Sequence, residues 1–133
     1  MTDGQLRWLY ANCAGLLAVS HEDFGLTPLE ANSFGKPVAC LRAGGYLDTL
    51  RPGLSGVFVE STGSPDIVDA IARLRATRWS TIAIKAHADR YSPATFASRL
   101  HTIADEVRSL QPQPQPVRVP TLQPLGVQTA PAA

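Results

Sequence analysis

The sequence predicts an α/β fold: a Rossmann-like parallel sheet of short buried strands flanked by helices. Short apolar runs, GLLAVS, PVACL and GVFV, alternate with segments of helical period, and strands that alternate with helices pair in parallel through crossovers. The runs are continuously apolar rather than alternating, which suits strands covered on both faces. A length of 133 residues with 44% hydrophobic content supplies one core and not two.

Each element follows from its own signals. In DGQLRWLYANC, Leu6, Leu9, Tyr10 and Cys13 recur at helical spacing, with Asp3 as the expected N-cap. GLLAVS should then form the first strand, buried on both faces. LTPLEANSF reads as a short helix, since Pro28 is tolerated in a first turn and Gly35, Lys36 and Pro37 mark an end. PVACL is a second strand, AGG a turn, YLDTL a helical turn and GVFV a third strand. Ser64-Pro65 caps a helix with Ile67, Val68, Ile71 and Leu74 on one stripe, and STIAIKAHADRY is a shorter one. PATFASRLHTIADEVRSL carries Phe96, Leu100, Ile103, Val107 and Leu110 on one apolar face that needs a partner surface. Residues 1–110 thus make the domain. From Gln111 the chain holds six of the eleven prolines, no aromatic residue and Arg118 as its one charge, so 111–133 is expected to be a disordered Pro/Gln-rich tail. No two of its prolines are three apart, which removes the usual groove-binding pattern.

Composition excludes several classes. A formal net charge of +1 with no local Lys/Arg cluster gives nucleic acid no electrostatic footprint. Cys13 and Cys40 lie in apolar segments without Cys-x-x-Cys or metal-ligand spacing, so both are expected to be buried free thiols. No metal ligand set is visible and no cofactor is expected. MTDGQLRWLY lacks the basic start and apolar stretch of a signal peptide, and CAGLLAV is too short to cross a bilayer. A soluble, cytoplasmic chain is the expectation.

The chemistry concentrates in SHEDFGLTPLEANSFGKPVAC, between the first strand and its helix. In doubly wound folds ligands bind beyond the carboxyl ends of parallel strands, where helix N-termini offer unpaired N–H groups to phosphate. Gly25 would let backbone approach a ligand closely, and Phe24 could pack on the sheet or on a ligand ring. Glu22 projects from the loop, and Glu30 follows about one and a half turns into the helix. Carboxylates there accept hydrogen bonds from hydroxyls, as on a ribose or hexose, and repel phosphate. The plain alternative is two surface carboxylates. Paired acids also occur in glycosidases, but a phosphate-type helix start beside Glu30 argues against that chemistry. His21 adjoins Glu22 in the loop, whereas His87 and His101 are expected to be structural; Lys36 and Arg42 read as surface charges.

At these residues the sequence resembles the donor-site signature of retaining glycosyltransferases of the GT-B fold, the large family 4 group. The resemblance rests on Glu22, Phe24-Gly25, Glu30-Ala31, Gly35, Pro37-Val38 and Gly44-Gly45 together, and extends over roughly residues 3 to 110. It implies that Glu22 binds hydroxyls of the transferred sugar, that backbone at Phe24, Gly25 and Leu26 meets sugar and diphosphate, that Glu30 holds the ribose, and that the Gly44-Gly45 loop lies near the donor. The family commonly has a glutamate three residues after the Gly-Gly pair, where this chain has Asp48. The wording leans toward relatives that use GDP-mannose in lipid-linked and cell-envelope glycan synthesis, with UDP-sugars close behind. The implied function is transfer of a sugar, with retention, from a nucleotide diphosphate donor to a hydroxyl on a glycan or lipid-linked acceptor, the complete enzyme associating peripherally with membrane. Only the second half of the family's C-terminal domain is resembled. The acceptor domain and the basic pair for the diphosphate are absent, which makes the isolated chain inactive by expectation and raises an alternative: a non-catalytic remnant, or a nucleotide-binding partner of another chain.

Overall fold

The computed structural model describes residues 1–110; the tail expected over 111–133 lies outside the described residues. The elements run α1 (Asp3–Asn12), β1 (Leu16–Ala18), α2 (Leu26–Ser33), β2 (Val38–Leu41), α3 (Tyr46–Thr49), β3 (Gly56–Val59), α4 (Ser64–Ala76), α5 (Thr81–Asp89) and α6 (Pro93–Leu110). The strands are parallel and stand in chain order, with Leu17 opposite Ala39 and Cys40 opposite Phe58. The predicted α/β class and element order are thus what the chain adopts.

Strand periodicity sorts the core onto two faces. Val38, Cys40 and Phe58 pack with Tyr10, Ala31, Tyr46 and Leu50, so α1, α2 and α3 cover one face. Ala39, Val57 and Val59 pack with Ala70, so α4 covers the other. Buried Asn32 donates to the carbonyls of Lys36 (2.8 Å) and Ser55 (3.2 Å), fastening the end of α2 to the segments that lead into β2 and β3. Ile84 of α5 is fully buried, which contributes about 1.5 to 3 kcal/mol.

Several local expectations need correction. The N-cap of α1 is Thr2 and not Asp3: Thr2 Oγ1 accepts the Gln5 N–H while the Gln5 side chain returns to the Thr2 N–H, a reciprocal capping box. The cap of α4 is Gly63, without a side-chain bond, and Ser64-Pro65 opens the helix proper. The packed stripe of α4 runs through Ile67, Ala70 and Leu74; Val68, 65% exposed, lies one residue round the helix from Ile67 and leaves that face. β1 is not buried on both faces, because it pairs only with β2 among the described residues and Leu17 is 42% exposed at the sheet edge. Cys40 is buried as expected, and burial pushes its thiol up to about 12. Cys13 is only half-buried. The apolar face of α6 is as anticipated: Phe96, Leu100, Ile103, Val107 and Leu110 are all exposed and none is covered by a described element.

Candidate functional site

Two loops meet beyond the carboxyl ends of β1 and β2. The first, 19–25, leads into α2; the second, 42–45, leads into α3. The Gly45 N–H donates to the Glu22 carbonyl at 2.8 Å and zips them together. Sequence dictates this approach. Gly44 has φ +54°, and a Cβ there would collide with the Glu22 carbonyl oxygen; a Cβ on Gly45 would collide with the backbone of Asp23 and Phe24. The Gly44-Gly45 pair therefore supports the Glu22 loop directly, a role that its reading as a mere turn did not contain.

The Glu22 side chain is exposed beside this junction. Ser20 Oγ donates to its Oε1 at 3.3 Å, and the Tyr46 hydroxyl stands 3.2 Å from Ser20 Oγ. A serine has a single proton to give, so Tyr46 donates to Ser20 and Ser20 to Glu22. Tyr46 is 1% exposed, and burial raises its phenol pKa. One oxygen of Glu22 is thus oriented by a relay rooted in the core.

Gly25 caps α2 in the left-handed region, φ +81°, and a Cβ would stand 2.7 Å from Tyr46 Cδ1 and 3.2 Å from Thr49 Oγ1. No side chain caps this helix start. The first-turn N–H groups have no acceptor within a helix, and Pro28 has none to present, so Leu26 and Thr27 offer theirs outward. Phe24 and Leu26 flank the opening with side chains 55% and 61% exposed.

Glu30 is held from a different quarter. The Tyr10 hydroxyl of α1 donates to its Oε2 at 2.8 Å, and the Tyr10 ring stacks on Phe34 with centroids 5.7 Å apart. Burial and the Glu30 carboxylate push the Tyr10 phenol up to about 12. Tyr10, Glu30, Phe34 and Arg7 help to line a cavity of about 230 Å³. The structure thus gathers Glu22, Phe24, Gly25, Leu26, Gly44 and Gly45 at one loop junction, while Glu30 is positioned separately by α1. No hydrogen bond joins the two glutamates.

The remaining candidates sort by their partners. His87 is buried, with Nε2 2.8 Å from the Thr49 carbonyl, and ties α5 to α3 as a structural histidine should. His101 is exposed on α6 without a side-chain hydrogen bond among the described residues, so the structural role expected of it is not met. His21 is exposed in the first loop. Arg42 forms a bidentate pair with Glu60 at 2.8 and 2.9 Å and lies over the Phe58 ring, which leaves its guanidinium engaged on the surface. The Asp48 backbone carbonyl accepts from Tyr91 at 2.8 Å. Among the described residues no group of three His, Cys, Asp or Glu is placed to hold a metal ion, and no helix is long and apolar enough to cross a membrane. Reasoning from sequence missed Tyr10, Ser20 and Tyr46, whose contacts span 20 and 26 residues and leave no local spacing signal.

A parallel sheet with helices on both faces and open loops at its carboxyl ends defines a Rossmann-like α/β domain. The family model described as glycosyl transferases group 1 matches residues 2–88, and the chain belongs to that family. It is 36% identical over 129 residues to a sucrose synthase of Acidithiobacillus caldus, covering 77% of this chain and 16% of that protein. Over 113 residues it is 30% identical to the alpha-1,3/1,6-mannosyltransferase ALG2 of Dictyostelium discoideum, covering 80% of this chain and 27% of the relative. The crystal structure of Anabaena HepE in complex with UDP-glucose matches with a TM-score of 0.54 at 29% identity, over 77% of this chain and 29% of the other. The chain spans less than a third of each of these three proteins.

Proposed function

We propose that the chain is the donor-binding portion of a retaining glycosyltransferase that uses a nucleotide-diphosphate sugar. The observation that carries this reading is the pinned loop that sets the Glu22 carboxylate beside the uncapped start of α2. A carboxylate oriented by Ser20 accepts sugar hydroxyls, while outward N–H groups and the helix dipole favour the diphosphate. Phe24, Gly25 and Leu26 would contact the donor through backbone, and Glu30, steadied by Tyr10, would accept from the ribose through its second oxygen. Gly44 and Gly45 serve the donor indirectly, by fixing the Glu22 loop.

In this reading Glu22 orients the sugar and does not attack it. The departing diphosphate gathers charge at the start of α2 and takes the acceptor proton on the same face, which accounts for retention. Orientation of two reactants can be worth about 7 to 11 kcal/mol of barrier, and the acceptor side of that gain would come from residues outside this chain. Kinship with a mannosyltransferase and with a protein crystallised with UDP-glucose supports GDP- or UDP-linked donors. A second reading, a nucleotide-binding partner of another chain, is favoured by the outer edge of β1, which no described strand covers.

Calorimetric titration of the chain with UDP, GDP and ADP tests the proposal. Saturable binding of one nucleotide, weakened by Glu30→Ala, is the expected result. Equal affinity of Glu30→Ala and wild type would overturn the ribose assignment.

A further inference from the structure

α6 stands clear of the other described elements. Every residue from Phe96 to Leu110 is exposed, and none of the 18 residues of the helix is buried. Helices in water draw most of their stability from packing an apolar face. The face of this one, Phe96, Leu100, Ile103, Val107 and Leu110, is 50% to 82% exposed. Single exposed apolar side chains are ordinary, whereas a continuous row along one helix marks a surface for association.

The row has the period of a coiled-coil seam. Its steps of four, three, four and three average about 3.5 residues. Leu100 and Val107 thus take the a positions of a heptad abcdefg, and Phe96, Ile103 and Leu110 the d positions. The two flanks differ: Ala97 and Ala104 fall at e, Arg99 and Glu106 at g. Arg99 and Glu106 lie about two turns apart, too far to pair within one helix. Neither enters an ion pair among the described residues. The other carboxylate and guanidinium beside the seam's second half, Asp105 and Arg108, pair with each other at f and b, away from it.

Flank chemistry selects both the partner and its direction. In a parallel pair each g position faces an e position, so both charges would meet alanine. In an antiparallel pair g faces g and e faces e. Arg99 then meets the second copy's Glu106, and Glu106 meets its Arg99, while facing alanines let the helices approach closely. The same register seats Leu100 on the second copy's Ile103 and Phe96 on its Val107. One surface is thus complementary to itself under a two-fold rotation, the condition for a closed dimer.

We propose that α6 docks on α6 of a second copy of this chain as an antiparallel two-stranded coil. A seam of about two heptads makes a small interface, so association is weak and dilute chain is monomeric, with α6 exposed as described. The proposal goes beyond the donor reading and is independent of it, because no residue of the seam or its flanks belongs to the donor site.

The test is sedimentation equilibrium of the 133-residue chain from about 1 µM to about 1 mM. The weight-average mass should rise from 14.2 kDa toward twice that value. Ile103→Lys, at the centre of the seam, should abolish the rise. Arg99→Glu and Glu106→Arg should each raise the dissociation constant about tenfold, since two exposed attractions become repulsions. Combined in one chain they exchange the signs and should restore association to within about threefold of wild type. All three sites are exposed, so the variants keep the fold. A chain that stays monomeric throughout overturns the proposal and leaves the face to residues 111–133 or to another protein. A dimer that survives Ile103→Lys places the contact elsewhere and overturns it too. Single reversals without effect, or without rescue in the double variant, contradict the antiparallel register and with it the proposal.

Discussion

Tyr10→Phe isolates the support of Glu30. Phenylalanine keeps the ring, its stack on Phe34 and its burial, and removes only the hydroxyl that donates to Glu30 Oε2 at 2.8 Å. Hydrogen bonds to a charged acceptor are worth about 1.5 to 3 kcal/mol. Glu30 is exposed, so water replaces the lost donor and screens the charge, and the expected cost in stability falls to about 1 kcal/mol. The effect on ligand is separate. Once Oε2 is released the carboxylate recovers rotamers that binding must freeze again, about 0.5 to 1.5 kcal/mol for such a side chain, so nucleoside diphosphate affinity should drop about two- to tenfold. Urea denaturation reads the first effect and calorimetry the second. If Tyr10→Phe matches wild type in both midpoint and affinity, Tyr10 does not position Glu30 and the reasoning fails.

Gly25→Ala should cost about 2 to 5 kcal/mol, combining about 1 to 2 for a left-handed residue with about 1 to 3 for overpacking against Tyr46; an unchanged denaturation midpoint would contradict the φ of +81°. Burial of Cys40 raises its thiol from 9.0 to about 12, so the unfolded thiol ionises first and stability present below pH 9.0 is lost progressively as pH rises toward 12. Tyr10, raised from 10.0 to about 12, acts in the same direction. Melting temperatures across that range should fall less steeply in Cys40→Ala than in wild type, and parallel slopes would count against the burial argument. Leu100→Lys, at a site 55% exposed, should change stability by no more than about 0.5 kcal/mol, and a larger loss on thermal melting would show α6 to be packed.

What the sequence made legible follows the range of the forces involved. β2, β3 and α6 were readable because continuous apolar runs and a four-three spacing are local patterns. Thr2 was misjudged because Thr2 and Asp3 are both cap-competent and adjacent; the Thr2-to-Gln5 spacing of a capping box was the signal that distinguishes them. The half-exposed β1 was not legible, since an apolar run does not state how many neighbours its strand has. At the site, Glu22, Gly25 and Glu30 stood out through their place between a strand and a helix start together with the resemblance to a glycosyltransferase donor signature; the spacing of two glutamates alone reads equally as surface carboxylates. The relay from Tyr46 through Ser20 to Glu22 and the Tyr10 bond to Glu30 depend on how α1 and α3 pack, which no local pattern encodes.

The most direct measurement is saturation-transfer difference NMR on UDP- and GDP-linked sugars with the wild-type chain, Glu22→Ala and Glu30→Ala. A donor site built as described predicts saturation of both ribose and hexose protons in wild type, loss of the hexose signal with the ribose signal kept in Glu22→Ala, and loss of both in Glu30→Ala. Absence of transfer to every nucleotide sugar, or an identical pattern in all three proteins, would contradict the assignment of this chain as a donor-binding portion.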